Sequence, residues 1–235
     1  LPAAIKVKSV RSSKPLPSVF SAKQLQSLRQ HLEEGWQETR RRRFLVLLRT
    51  FWFLRYTGMR GGELLHLEWR FVYADRIELR STREWKIKGR RDSVLPIAVR
   101  LQEFIQVQDI QGEKYVLDNG KGKPLYASLG DLTKSMRKAL LKVGIENAKP
   151  LHSFRSTVAT ELLAGENSNP VQVQKLLRHQ SIQTTMSYLN QDHLQQVDLV
   201  NQLGNTGGNS GGKKYKESGK ANIRLAYSKK VKGDC

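Results

Sequence analysis

The stretch "RRRRFLVLLRTFWFLRYTGMRGGELLHLEW" (40–69) decides how this chain is read. Its apolar part, "FLVLLRTFWFLRY" (44–56), is broken by Arg49 and Arg55, so it reads as a buried helix rather than a membrane span. The helix is expected over 37–58 and stops at Gly58, because glycine adopts at little cost the left-handed conformation that closes helices. Arg60 then stands at the mouth of a turn. Glu63 follows three residues later, placed to orient a neighbouring cation, and "GELLHLEW" (62–69) reads as a second, short helix.

Working outward, "SAKQLQSLRQHL" (21–32) has helical spacing behind a plausible N-cap, Ser21. Three short strands are expected at 71–81, 83–89 and 93–97, forming a small antiparallel sheet with a tight turn at "KGRRD". Helices follow at 98–108, at 128–144 between Ser128 and Gly144, and at 151–165. Another is expected at 169–179, with Asn169 as cap and Pro170 at its first position, then short ones at 181–189 and 192–203. The fold class is mainly α with one small antiparallel β-sheet. From Gly204 the composition shifts to a flexible Gly/Ser linker and a basic tail. Residues 1–17 read as a basic linker or arm, 18–203 as the folded domain and 204–235 as the tail. The chain does not begin with Met, so a fragment or processed chain is expected, and no secretory signal is visible.

Charge is the loudest global feature: 41 Lys plus Arg against 21 Asp plus Glu, a formal net charge of +20. Such an excess points to a polyanion, most often nucleic acid. It is spread over "TRRRRF" (39–44), "KIKGRRD" (86–92) and the tail, where eight basic residues face two acidic ones. A spread excess suits a surface that wraps a phosphate backbone. The one cysteine, Cys235, excludes an intramolecular disulfide and a cysteine-based zinc site within this sequence and fits a reducing cytosol.

Tyr188 lies nine residues after His179 in "RHQSIQTTMSYL" (178–189). Most tyrosines are packing residues, and a phenol with its ordinary pKa is a poor nucleophile. To attack a phosphodiester it needs cationic donors on the non-bridging oxygens, a group to take its proton, and a donor to the leaving 5′-oxygen. Arginine suits the first task, because its planar fork binds phosphate bidentately and stays charged. The chain supplies such parts: Arg60; His152 and Arg155, at i and i+3 on one helix face; His179; and Lys88 at the hairpin turn, with Lys86 as competitor. Singly, each has an ordinary reading: Arg60 as a helix cap, the histidines as packing residues, Glu63 and Lys88 as surface charges, Tyr188 as core.

Together, in order, they resemble the catalytic domain of the tyrosine recombinases, the phage-integrase and Xer-type family. Its signature runs T-G-x-R-x-x-E-L, a hairpin lysine, H-x-x-R, L-G-H, then a tyrosine. Here these are Thr57-Gly58-Met59-Arg60 with Glu63-Leu64, then Lys88, His152 with Arg155, Leu177-Arg178-His179, and Tyr188. The resemblance covers about 17–203 and implies the tyrosine recombinase catalytic-domain fold. It further implies that Arg60 and Arg155 clamp the scissile phosphate and that Tyr188 attacks it, giving a 3′-phosphotyrosyl link. Lys88 would protonate the leaving oxygen, His152 would exchange a proton with the tyrosine, His179 would hydrogen-bond the phosphate, and Glu63 would support the clamp from behind. Arg90, Arg91 and Arg178 are further candidate DNA contacts. Two departures stand out: Arg178 occupies the place of a usual glycine, and Ser156 that of a frequent second histidine.

The resemblance implies a site-specific DNA recombinase acting in integration, excision or resolution, with no cofactor and no metal. Its partner would be double-stranded DNA carrying a recombination site, bound as a homotetramer on synapsed DNA and as a monomer in isolation. A cytoplasmic, nucleoid-associated setting and no membrane partner are expected. The segment 192–203 would pack on a neighbouring protomer, and the family's usual N-terminal DNA clamp lies outside this sequence. Two alternatives use related chemistry or none: a type IB topoisomerase-like strand transferase, and a catalytically silent relative that only binds DNA.

Overall fold

The computed structural model describes residues 17–87, 92–165 and 168–189. The arm, the tail, the expected helix at 192–203, and Lys88, Arg90 and Arg91 lie outside the described residues. In chain order the elements are α1 (Ala22–Thr39), α2 (Arg42–Thr57), α3 (Gly61–Leu65), a single 3₁₀ turn (Trp69–Phe71), β1 (Arg76–Leu79) and β2 (Ser93–Pro96). Then come α4 (Val99–Gln106), α5 (Leu129–Lys142), α6 (His152–Ala164), α7 (Pro170–Leu177) and α8 (Ile182–Met186). Among the described residues no helix is long and apolar enough to cross a membrane.

The first two helices divide differently from the sequence reading. Helix α1 opens on Ser21, whose hydroxyl and Gln24 form a reciprocal capping box. It does not stop near residue 32 but runs through Gly35 to Thr39. The break falls at Arg40, a left-handed C-cap (φ 49°) whose N–H bonds the Trp36 carbonyl. Gly35 stays helical because the Phe44 ring of α2 lies over it; a Cβ there would meet that ring at 2.4 Å. The crossing of α1 and α2 therefore uses glycine for close approach rather than for termination.

Helix α2 is the axis of the fold. Leu45 to Leu48, Phe51, Phe53 and Leu54 are all buried, so it is apolar nearly all round. Leu25, Leu28 and Leu32 of α1, Leu101 and Phe104 of α4, Leu132, Met136 and Leu140 of α5, and Phe154 of α6 complete one core around it. Arg49 is the charged residue among the buried positions of α2: it is fully buried, and its guanidinium meets the Glu113 carboxylate and the Val116 carbonyl. Arg42 reaches the same carboxylate, so one acid anchors α2 to the 107–118 loop from two positions.

Among the described residues the sheet has two strands, not the expected three. β1 pairs antiparallel with β2 in the register Arg76–Pro96 to Leu79–Ser93. The described part of the expected middle strand is a turn instead. The Thr82 N–H bonds the Trp85 carbonyl at 2.8 Å, the Ile87 N–H bonds the Ser81 hydroxyl, and Trp85 stacks on His66 with centroids 5.0 Å apart. Alternation in "REWKI" thus arises from one aromatic face lying on the body, not from a ladder.

Helix α6 lies between two clusters. Phe154 faces the large core, while Val158, Ala159 and Leu163 join Val173 and Leu177 of α7 and Tyr188 in a second, smaller one. This double burial leaves six consecutive α6 residues after Ser153 out of solvent and fixes Arg155 rigidly between the clusters.

Candidate active site

Three helix ends meet at one place. α2 ends on Gly58 in the left-handed conformation (φ 61°), with Leu177 and Val158 against it; a Cβ there would lie 2.6 Å from Leu177 Cδ2. α7 ends beside it, and α3 starts just beyond. C-terminal helix ends present unpaired carbonyls and partial negative charge, which favour nearby cations. Two arginines take up that offer. Arg155, only 5% exposed, donates through Nη1 to the Gly58 carbonyl at 2.7 Å and through Nη2 to the Leu177 carbonyl. Arg60 donates through Nη2 to the Arg178 carbonyl at 3.2 Å.

Arg60 is the N-cap of α3 and remains about one-third exposed at its side chain, 34%. Glu63 holds it from behind: the carboxylate accepts from the Arg60 backbone N–H at 2.8 Å and from Nη1 at 2.9 Å. Glu63 is 3% exposed, and a buried carboxylate requires such partners. It has a second cation as well, Arg178, whose Nη2 donates at 2.7 Å while Nη1 donates to Ser93 Oγ of β2 at 3.0 Å.

Crowded guanidiniums shift one another. Burial first, then the charges of Arg60 and Arg178, lower Arg155 to about 10, which still leaves it protonated at neutral pH. Burial lowers Arg178 also. The same field acts on the histidines. His152 stands exposed in the first turn of α6, where desolvation, then the charges of Arg155 and Lys149, hold it below its ordinary value. His179 is pushed down to about 4, by burial first and then by Arg155, Arg60 and His152. Both are neutral at pH 7 in the free protein.

His179 is fixed by the end of α7. Its N–H bonds the Gln174 carbonyl at 3.0 Å, and its Nδ1 meets Thr185 Oγ1 of α8 at 2.8 Å, leaving Nε2 as the ring nitrogen that Thr185 does not engage. Tyr188 follows α8, with its ring stacked on His179 at 6.0 Å between centroids and 19° between planes. The ring is 8% exposed and packs against Val158, Leu163, Val173 and Leu177.

Arg60, Glu63, Arg155, Arg178, His179 and Tyr188 are thus drawn together, with His152 one helical turn from Arg155. Lys88, Arg90 and Arg91 lie outside the described residues; the competing Lys86 is exposed and outside any helix or strand. Sequence reasoning missed Thr185, Ser93 and the carbonyls of Gly58 and Leu177. Carbonyls have no sequence signal at all, whereas the helical fold of 181–189 could have suggested Thr185, since it places that residue beside the His179 turn. Ser156 Oγ is buried without a partner among the described residues. Among those residues no group of three or more His, Cys, Asp or Glu is placed to hold a metal ion.

Helices converging on an arginine pair, with a tyrosine behind, define a class, and the comparisons give it a family. The chain belongs to the phage integrase family, whose model matches residues 18–195. It is 27% identical over 195 residues to the tyrosine recombinase XerC of Rickettsia bellii, covering 77% of this chain and 58% of that protein. It is 29% identical over 151 residues to the XerC of Corynebacterium glutamicum, covering 62% and 46%. The chain therefore spans about half the length of these curated relatives. Among solved structures, the XerH site-specific recombinase bound to difH substrate in a pre-cleavage complex superposes with a TM-score of 0.60 at 18% identity, over 80% of this chain and 55% of that one. The fold is that of the tyrosine recombinase catalytic domains.

Proposed function

We propose that residues 18–203 form the catalytic domain of a site-specific DNA recombinase that cuts and rejoins DNA through a 3′-phosphotyrosyl link to Tyr188. The observation that carries this reading is the meeting of Arg60, Arg155, His179 and Tyr188, drawn from three separated segments, in the order the family's motifs require. The XerH site-specific recombinase, a relative in fold bound to its difH substrate, supports DNA as the partner.

In this reading Arg60 and Arg155 take the non-bridging oxygens of the scissile phosphate, helped by the neutral His179. The Tyr188 oxygen forms the new bond to phosphorus while the bond to the 5′-oxygen breaks. The phenol proton passes to His152, which is neutral and so able to accept it, and Lys88 gives a proton to the leaving oxygen. The bond energy is kept in the phosphotyrosine, so rejoining is the same step reversed on another 5′-hydroxyl. We further assign a homotetramer on synapsed DNA, a nucleoid setting, and backbone contacts for Arg90, Arg91 and the arm and tail.

The test is a covalent trap. The protein is mixed with fragmented DNA from its source and denatured, and the ends of the protein-bound DNA are sequenced, with Tyr188→Phe in parallel. Adducts joined at 3′ ends, at defined sequences, and absent from the variant are expected. Adducts without sequence preference favour a topoisomerase-like transferase. Tight binding with no adduct favours a silent DNA-binding relative.

A further inference from the structure

The residue that departs most from the family pattern also bridges two separate elements. Arg178 stands where the family usually has glycine, and its backbone is left-handed (φ 55°), the conformation that favours glycine. A long side chain kept there at a conformational disadvantage is expected to make contacts that repay it. Arg178 does. One end of its guanidinium binds Glu63 of α3 and the other Ser93 of β2, while its side chain is only 17% exposed. Its terminal nitrogens face inward, onto these two partners.

The links close into a ring. The Arg60 guanidinium donates to the Arg178 carbonyl, the Arg178 guanidinium donates to the Glu63 carboxylate, and Glu63 binds Arg60 at both backbone and side chain. Each member restrains the next, and the ring joins α3, the end of α7 and β2. His179 follows Arg178 directly in the chain, so the same ring sets where His179 begins. A glycine at 178 would keep only the carbonyl link, leaving Glu63 with one cation and removing the Ser93 hydrogen bond that ties β2 to the end of α7.

We propose that Arg178 is a positioning residue, a strut between Glu63 and Ser93 that fixes the Arg60 guanidinium and the start of the His179 turn. It acts through its neighbours and touches no substrate. The proposal rests on the recombinase reading for its effect on rate, but not for its effect on Arg60.

Two measurements on the full chain separate these. The first uses no DNA: side-chain NMR of the Arg60 guanidinium in the wild type, Arg178→Gly and Arg178→Lys. Loss of Arg178 is expected to shift the Arg60 Nε–H resonance and speed its exchange with water, with the lysine variant in between. An unchanged Arg60 signal in Arg178→Gly overturns the proposal. The second is the rate of single-turnover adduct formation on a DNA site recovered by the covalent trap, read beside melting temperature. Because small misplacements of a clamp cost rate steeply, Arg178→Gly is expected to slow cleavage by roughly tenfold to a hundredfold. Its melting temperature is expected to fall modestly, since relief of the left-handed strain offsets only part of the loss of Glu63's second cation. A rate reduced only in proportion to the folded fraction at the assay temperature would make Arg178 a plain structural residue; an unchanged rate with wild-type adduct present would make it a bystander. Ser93→Ala tests the β2 arm alone and is expected to add little in the Arg178→Gly background. A wild type that forms no adduct defeats the recombinase reading, while the NMR result still decides the strut.

Discussion

At the scale of single residues, Tyr188 has two duties that one substitution can separate. Its ring fills part of the smaller core, while its hydroxyl carries the proposed chemistry. Tyr188→Phe keeps the ring and its stack on His179, so unfolding free energy should change by less than about 1 kcal/mol. Tyr188→Ala opens a cavity among Val158, Leu163 and Leu177 and should cost about 3–5 kcal/mol. Both are expected to abolish the DNA adduct, and denaturant titration distinguishes them; adduct formation by Tyr188→Phe would remove the tyrosine from the chemistry. His179 gives a prediction in pH. A histidine in the unfolded chain titrates near about 6.5, whereas His179 in the fold is held at about 4. Below the unfolded value the unfolded chain binds a proton that the fold refuses. The stability linked to His179 is therefore intact above about pH 6.5 and is lost as pH falls toward 4. His152 is shifted in the same direction and adds to the loss. The melting temperature should decline across this window, and less steeply in His179→Gln, which cannot charge. Equal slopes for the two proteins would contradict the assignment.

At the scale of elements, Gly58 and Gly62, both near the site, carry opposite burdens. Gly58 closes α2 at φ 61° with Leu177 and Val158 against it, and its carbonyl receives Arg155. Gly58→Ala adds about 1–2 kcal/mol of left-handed strain to about 1–3 kcal/mol of overpacking. A loss of roughly 2–5 kcal/mol is expected in urea unfolding. Gly62 has nothing within 4 Å of an added Cβ, so Gly62→Ala should be neutral or stabilising by up to about 1 kcal/mol. Equal losses at both positions would show that the α2–α7 contact does not decide the site. The same contrast explains what the sequence made legible. Gly58, Ser128 with Gly144, and Asn169 with Pro170 are local signals, each acting within one turn, and the helix ends they mark fell where expected. Gly35 acts across a helix crossing, through the Phe44 ring, and α1 runs past the expected residue 32 to Thr39. Arg40, which does end α1, belongs to a residue type that seldom takes a left-handed cap. The middle strand failed for a related reason: Trp85 is held by His66, far away in sequence, rather than by a ladder partner.

At the scale of the whole molecule, the site was legible as a list of motif residues and illegible as a network. Arg60, Arg155, His179 and Tyr188 are named by local motifs. The Glu63–Arg178–Ser93 bridge joins positions far apart in the chain, and no local pattern announces it. Charge behaves in the opposite way, because it is a sum and survives ignorance of the fold. With a net charge of +20, DNA binding should be governed by counterion release. The described surface agrees: Lys134, Arg137 and Lys138 are exposed on α5, and none of them is paired with another described residue. If six to ten phosphates are neutralised, affinity should fall by roughly 10³–10⁵ between about 50 and 200 mM salt. A flat response would show that the charge excess serves something other than DNA. The comparison between two DNAs is more telling. Phosphate contacts are common to any duplex, so they set a slope shared by a recovered recombination site and by random DNA. Base contacts are special to the site, so they set the vertical distance between the two lines, about 10³–10⁷ in affinity for a specific binder. Parallel lines held well apart are therefore what a site-specific recombinase should give, and coincident lines are what a sequence-indifferent transferase should give on the same surface charge.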